Sequence, residues 1–455
     1  MGKLREELEA YTGSGMLPFH MPGHKRQLPG ELSRTDVTEL PATDDLHAPE
    51  GILKEAQTRA AKLYGAEESY YLVGGSSAGV LAALSAGIKK GGTLLMQRAS
   101  HKSAYHAIIL RELKPVYLPE DQDGLSGAGL GVNAEDLERT LDGHPEAGAV
   151  FLTSPGYEGF SGDLREAAEL CHERGIPLIV DAAHGAHFGF HPYFPESAVQ
   201  AGADLVVMSV HKTLPAPTQT ALLHRSGNLV SPERLRSFLA FYQSSSPSYP
   251  LMAAIDDCMD YLEKGGTRIW EEFLARRRKL DERLAKCRHI RTFTPEPCKL
   301  LLCPEDGRSG LLLASGLRGK GIEAEMALPS YVLLICSVAD TEVMYERLAG
   351  AVEACDQPFP FAEECPGSAP ESFSALQLPC VKDIREALPM HRAWEAEREY
   401  VPFASAEKRI AADFVMVYPP GQPILVPGEC ITAEVLSELK HLDRAGCVLQ
   451  GVKTR

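Results

Sequence analysis

Between residues 55 and 225 short apolar runs alternate with amphipathic stretches: "QTRAAKLYG", "SYYLVGG", "AGVLAALSAGIKKG", "GTLLMQ", "AYHAIILRELK", "PVYLPE", "AVFLTSP", "LREAAELCHERG", "PLIVDAAHG" and "DLVVMSVHK". The apolar runs lack the apolar/polar alternation of a half-buried strand, and helical periodicity separates them. Strands that are apolar on both faces need cover on both faces. The pattern therefore predicts a doubly wound α/β domain on a mostly parallel sheet. In such sheets ligands collect at the carboxyl ends of the strands. The polar clusters that interrupt this chain lie there: "GGSSAG" (74–79), "RASHKS" (98–103), "TSPGYEG" (153–159), "DAAHGAH" (181–187) and "SVHK" (209–212). Five clusters at one edge of one sheet predict a single site.

At 455 residues the chain has room for more than one domain. We divide it into an N-terminal segment 1–50, a large domain 51–255, a small α/β domain 256–355, a Pro-, Glu- and Ser-rich linker 356–375 and a C-terminal domain 376–455. Residues 251–290 read as a long helix on which "ARRRK" (275–279) forms a solvated face. The prolines and glycines of "FVMVYPPGQPILVPGE" favour a tight loop over a central strand.

The balance of 46 Lys+Arg against 62 Asp+Glu leaves a net charge of -16, which opposes general binding to nucleic acid or to an anionic membrane and favours a small cationic substrate. Eleven cysteines without a CxxC pair read as reduced thiols, with neither a disulfide framework nor a metal site. No run approaches the ~18 apolar residues of a membrane span, and "MGKLREELEAY" has no apolar signal core. A soluble, cytoplasmic protein is expected.

"GGSSAG", between a strand and a helix, offers flexible glycines, the hydroxyls of Ser76 and Ser77, and free backbone N–H groups at a helix start. It matches neither GxGxxG nor the P-loop pattern, so a single phosphate monoester suits it better than a dinucleotide or ATP. A plain glycine-rich turn is the alternative. Asp181 ends the run "PLIV", where an unpaired carboxylate is costly. It reads either as a helix cap or as the partner of a protonated ring nitrogen. Lys212 follows the next strand and reads either as a surface lysine or as a Schiff-base lysine. Acid and lysine at successive strand ends, with a phosphate loop upstream, form the set that holds pyridoxal phosphate.

With "MPGHK" (21–25), "DDLHAPEG" (44–51), "SHKS" (100–103), "DAAHGAHF" (181–188), "SVHKTLPAPTQTALLH", "SSSPSYP" (244–250) and "YPPGQPILVPGE" (418–429) in this order, the chain resembles the Orn/Lys/Arg decarboxylase family in its short form, without a receiver-like N-terminal domain. The resemblance implies a fold type I pyridoxal-phosphate enzyme that decarboxylates a basic L-amino acid and leads to polyamines. It makes Lys212 the cofactor-bearing lysine and Asp181 the partner of the ring nitrogen. It stacks His101 on the ring and packs His184 nearby. Ser209 and His211 join Ser76, Ser77 and the backbone of Ala78 on the phosphate. Ser245 and Ser246 reach the neighbouring subunit's phosphate, which implies a homodimer at least.

Two positions depart from the family pattern: Ala182 stands where Glu is common and Val80 where Asn is common. His24 and Lys25 receive no role, and His20, His47 and His191 stay unassigned. A cationic substrate needs an acid at its far end. Glu429, in a rigid Pro-Gly loop, is one candidate or else an exposed loop residue, and Asp44 and Glu158 are others. Rival reactions on the same machinery are transamination, for which Arg318 is a possible carboxylate clamp, and β-elimination. A cofactor-holding regulator without catalysis is a further alternative.

Overall fold

The computed structural model describes residues 1–22, 24–27, 31–124, 126–305, 309–357, 385–418 and 421–451. The linker expected at 356–375 lies almost wholly outside them. The chain forms two compact units, Met1–Leu95 with Leu137–Pro155 and Asp163–Trp270, and Met96–Asp136 with Gly156–Gly162 and Glu271–Arg455. Both are discontinuous, whereas the boundaries expected from sequence were contiguous. The segments that follow two strand ends, 96–136 and 156–162, belong with the later half of the chain.

The strands are β1 (Glu68–Leu72), β2 (Thr93–Gln97), β3 (Lys114–Leu118), β4 (Ala147–Thr153), β5 (Leu178–Asp181), β6 (Leu205–Ser209), β7 (Ala221–Arg225), β8 (Ile290–Phe293), β9 (Lys299–Pro304), β10 (Met326–Leu328), β11 (Tyr331–Ile335), β12 (Val415–Val417), β13 (Gln422–Leu425) and β14 (Leu449–Gln450). In the first unit the sheet order is β1-β7-β6-β5-β4-β2. The chain passes into the second unit within β2, and β3 pairs with β2. β4, β5 and β6 are parallel, as the unbroken apolar runs require, and every residue of β5 and β6 is buried. β7 runs antiparallel to both β1 and β6. Sequence reading missed this strand because "ALLH" follows a proline- and threonine-rich stretch that reads as loop.

Helix α1 (Lys3–Gly13) belongs to the first unit, with Leu4 and Leu8 buried and Leu4 N donating to the buried Asp256 at 2.9 Å. After α2 (Ile52–Tyr64), helix α3 (Gly75–Gly87) lies flush on the sheet. A Cβ at Gly79 would come within 2.6 Å of Leu72 and 2.8 Å of Val207, so only glycine allows this approach. Val80, one of the two departures, is fully buried in the same helix.

In the second unit, β8–β11 form an antiparallel sheet in the order β10-β11-β9-β8. The stretch expected as a tight loop instead forms β12 and β13, and β12 is central in the order β13-β12-β14. Pro423 fits because β13 is an edge strand and the pairing shifts register between Val415 and Met416. The small and C-terminal domains expected as separate share one apolar core, which includes Leu301, Leu333, Val417, Leu425 and Leu439.

The long helix spans Tyr249–Leu284 but breaks at Gly266, which has a φ of 54°. Its basic run is not a uniformly solvated face. Arg277 is buried, donating to Pro297 O and Thr294 Oγ1 and pairing with Asp281. Among the described residues no helix is long and apolar enough to cross a membrane.

Candidate active site

Within the first unit the paired registers Thr153↔Asp181 and Asp181↔Val207 bring the carboxyl ends of β4, β5 and β6 level. Asp181 closes β5 and is 3% exposed, and its Oδ1 accepts a hydrogen bond from Ala183 N at 3.0 Å. Burial pushes its carboxyl above the ordinary range, and the Lys212 charge and the Ala183 N–H only partly oppose this. An acid left so incompletely compensated is ready for a cationic partner. Ala182, beside it, is buried and apolar and offers no second charge.

Lys212 follows β6 in a short helical turn, Val210–Thr213. Its Nζ lies 3.0 Å from His184 Nε2. An ammonium there donates to Nε2, which places the His184 proton on Nδ1. Ser209, the last residue of β6, donates through Oγ to Ser76 Oγ at 3.0 Å and so ties the lysine strand to the first turn of α3. That turn begins at Gly74, which makes no side-chain cap, and at Gly75, whose φ is +72°. The first N–H groups of α3, beside Ser76 and the exposed Ser77, are donors for an anion. His211 pairs Nδ1 with Thr220 O at 2.8 Å, and burial followed by the Lys212 charge lowers its pKa. Three of the five expected clusters are thus assembled here: "GGSSAG", "DAAHGAH" and "SVHK".

The turn holding Ser245 and Ser246 is exposed on the same unit, and His47 Nε2 meets Ser244 O at 2.8 Å. Asp44 lies in the loop eight residues before α2. Its carboxylate accepts from the N–H groups of Asp45, Glu50, Gly51 and Leu53 at 2.9–3.1 Å. Burial opposes its ionisation, but those four donors outweigh it and hold the carboxyl below its usual range. All four donors fall on this one carboxylate, which ties together the loop before α2. His24 also has a structural place: its ring joins Asp36 Oδ2 to Arg26 N, each at 3.0 Å.

Of the other two clusters, "RASHKS" belongs to the second unit, and "TSPGYEG" divides, with residues 153–155 in the first unit, where Ser154 N donates to Asp181 O at 3.0 Å, and the residues from Gly156 on in the second. His101 caps helix α4 (Lys102–Arg111), with Nδ1 2.8 Å from Ser103 Oγ. Glu158 is buried and accepts from Tyr331 Oη at 2.6 Å, and burial raises its pKa. Glu429 is not an exposed loop residue. It is 3% exposed, and both its oxygens are taken by the guanidinium of Arg98, at 2.6 and 2.8 Å. Val426 N donates to it as well, at 2.9 Å. Three donors thus engage this carboxylate, two on Oε2 and one on Oε1. Sequence reading passed over Arg98, although an arginine directly after the buried run "TLLMQ" must find a counter-charge. Arg318, the possible clamp of an aminotransferase, is held on the surface by Glu323 at 2.6 Å.

The sequence pattern of the Orn/Lys/Arg decarboxylase major domain matches residues 4–301, and that of the C-terminal domain of the same family matches residues 371–451. An uncharacterized protein, YaaO of Bacillus subtilis strain 168, is 35% identical over 95% of this chain and 92% of its own length. The arginine decarboxylase of the same organism is 33% identical over 98% of this chain and 94% of its own. Among solved structures, the lysine decarboxylase LdcF of Francisella novicida superposes with a TM-score of 0.82 at 20% identity, covering all of this chain and 79% of that one. That likeness is one of fold.

Proposed function

The chain belongs to the Orn/Lys/Arg decarboxylase family, an amino-acid decarboxylase acting on a basic substrate with pyridoxal 5′-phosphate as cofactor, and on that premise we propose that it removes the α-carboxylate of arginine. Arginine is chosen because relatives above 30% identity that carry a named activity are arginine decarboxylases. The observation that carries the site assignment is the grouping of Lys212, His184 and buried Asp181 at adjoining strand ends, in the unit that also holds the uncapped start of α3.

These residues fit the cofactor. The first turn of α3 with Ser76, Ser77, Ala78 and Ser209 would hold the phosphate. A neutral His211 that donates through Nδ1 to Thr220 turns a lone pair outward, so it would serve the phosphate only when protonated. Lys212 is the amine to which the aldehyde would attach. Asp181 would hold a proton on the ring nitrogen, and the positive charge gained there would compensate its buried carboxylate. When bound, pyridoxal phosphate supplies an electron sink for the pair released as the carboxylate leaves. His184, in contact with Lys212 Nζ, fixes the amine and can take part in its proton exchange, and Lys212 would return a proton to the α-carbon. We assign His101 to the ring face on the family pattern "SHKS". Of the three acids first considered for the distal cation, Asp44 and Glu429 are occupied and Glu158 is the one kept.

The exposed Ser245 and Ser246 would serve a neighbouring subunit, which makes the working form a homodimer. None of the nine described cysteines is in a disulfide, which suits a reducing cytoplasm. Incubating purified, cofactor-loaded protein with arginine, lysine and ornithine in turn tests the reading. Carbon dioxide released with agmatine from arginine is the expected result. Preference for lysine or ornithine would remove the substrate assignment, and keto acid without carbon dioxide would remove the reaction.

A further inference from the structure

The second unit contains a buried device that the chemistry above leaves unused. Arg98 lies three residues before His101, directly after β2. Its guanidinium makes a two-pronged pair with Glu429, donates to Ile424 O at 2.9 Å, and lies 4.9 and 5.9 Å from the ring centres of Tyr117 and Tyr105. The short segment from Arg98 to His101 is fixed at each step. Tyr105 Oη donates to Arg98 O at 2.6 Å, Ser100 N to Arg98 O at 2.8 Å, and Ser100 Oγ to Gln97 O at 2.7 Å. His101 then turns the chain into α4. Glu429 is anchored in turn, since Val426 N donates to its carboxylate, Ala411 N to its carbonyl, and Glu386 bridges to it.

A surface ion pair would contribute little to such an arrangement, but a buried fork holds its two ends in one geometry. We propose that Glu429 is a positioning residue for His101, acting through Arg98, so that the loop after β13 sets how well the segment 98–101 is held. The proposal rests on the assignment of His101 to the cofactor site. It differs from the substrate role first considered for Glu429 because no contact with substrate is required. Misplacement of a reacting group by about an ångström costs on the order of 100-fold in rate, so a loosened His101 should be visible in kcat.

The test is a double-mutant cycle of Glu429→Gln and His101→Ala in the full-length holoenzyme, paired with hydrogen–deuterium exchange on the cofactor-free protein. Glu429→Gln is expected to lower kcat about 10- to 100-fold with little change in KM. In the His101→Ala background it should add almost nothing, because a residue acting through His101 has nothing left to act on. Amide exchange of Ser100 and its neighbours should accelerate in Glu429→Gln, while residues 178–184 stay as they were. Additive losses, or unchanged exchange at 98–101, would overturn the proposal. If His101→Ala alone leaves kcat intact, the assignment of His101 fails and takes the proposal with it, while the role of Lys212 stands on its own test. Should Glu429→Gln not fold, Arg98→Lys keeps the cation and removes the fork. The same cycle then applies with the same two outcomes.

Discussion

Asp181 and Glu429 are hidden from solvent to the same degree, yet their surroundings differ. Glu429 has a guanidinium fork and a backbone N–H on its carboxylate, the full complement that a buried charge requires. Asp181 has one backbone N–H and the more diffuse attraction of Lys212, and burial keeps its carboxyl above the ordinary range. One acid is satisfied within the chain. The other is left short of charge, and the missing charge is what a protonated cofactor nitrogen would bring. Burial alone therefore does not separate a structural acid from a functional one, whereas the accounting of partners does.

The largest expected effect tests the functional end of this contrast. Lys212→Ala should abolish decarboxylation. Borohydride reduction of the loaded parent protein, followed by peptide mapping, should place the cofactor on the peptide containing Lys212. Recovery of the reduced cofactor on any other lysine would end the assignment.

Asp181→Asn comes next. The amide keeps the shape and loses the charge that would hold the ring nitrogen protonated, so kcat should fall at least ~100-fold, or about 2.7 kcal/mol of barrier. Without cofactor the same variant should be more stable than its parent at neutral pH, because it removes a buried carboxylate whose ionisation is disfavoured. Retained activity, or an apo protein that melts earlier, would erase the distinction between the two acids.

Glu429→Gln probes the satisfied end. It removes the counter-charge and turns one of the two accepting oxygens into an NH2 that faces the guanidinium, so buried Arg98 keeps only Ile424 O and one amide oxygen, and breaking one side of such a pair costs about 3 kcal/mol. Denaturant unfolding of the parent and variant measures this directly. A loss below ~1 kcal/mol would mean that water reaches the fork and that Glu429 is not the satisfied acid described above.

How much of this could be read from sequence varies with the range of the interaction. Lys212, Asp181 and the start of α3 were legible because each sits at a break between an apolar run and a polar cluster, a local signal that the parallel sheet converts into proximity. The engagement of Glu429 was not legible, since its partner lies 331 residues away and nothing in "VPGE" announces a guanidinium. The engagement of Asp44 was hidden for a different reason. Its side chain bonds to N–H groups up to nine residues on, a closed loop that a motif reading takes for an open carboxylate. The strand pairing of "VMV" with "QPIL" was hidden by Pro423, because composition does not reveal that the strand lies at an edge.

The smallest effect concerns Glu158, which stands between the two extremes. It is buried with one strong donor, Tyr331 Oη, and burial raises its pKa against the pull of that bond and of Lys299. In the unfolded chain a glutamate titrates near ~4.3. With the folded value higher, the native state holds the proton more tightly, so Glu158's contribution to stability is full below the unfolded value and is lost as pH rises through the folded one. Glutamine keeps an acceptor for Tyr331 and carries no charge. Glu158→Gln should therefore raise Tm at pH 8 by about 1–3 °C, and the gain should vanish below pH ~4, where the parent carboxyl is protonated in both states. Thermal melts of the two apo proteins across that range give the answer. A lower Tm at pH 8 would show that attraction to the fully buried Lys299 outweighs the cost of burying the charge, which would move Glu158 to the satisfied side with Glu429 and remove the last acid available for a substrate's distal cation.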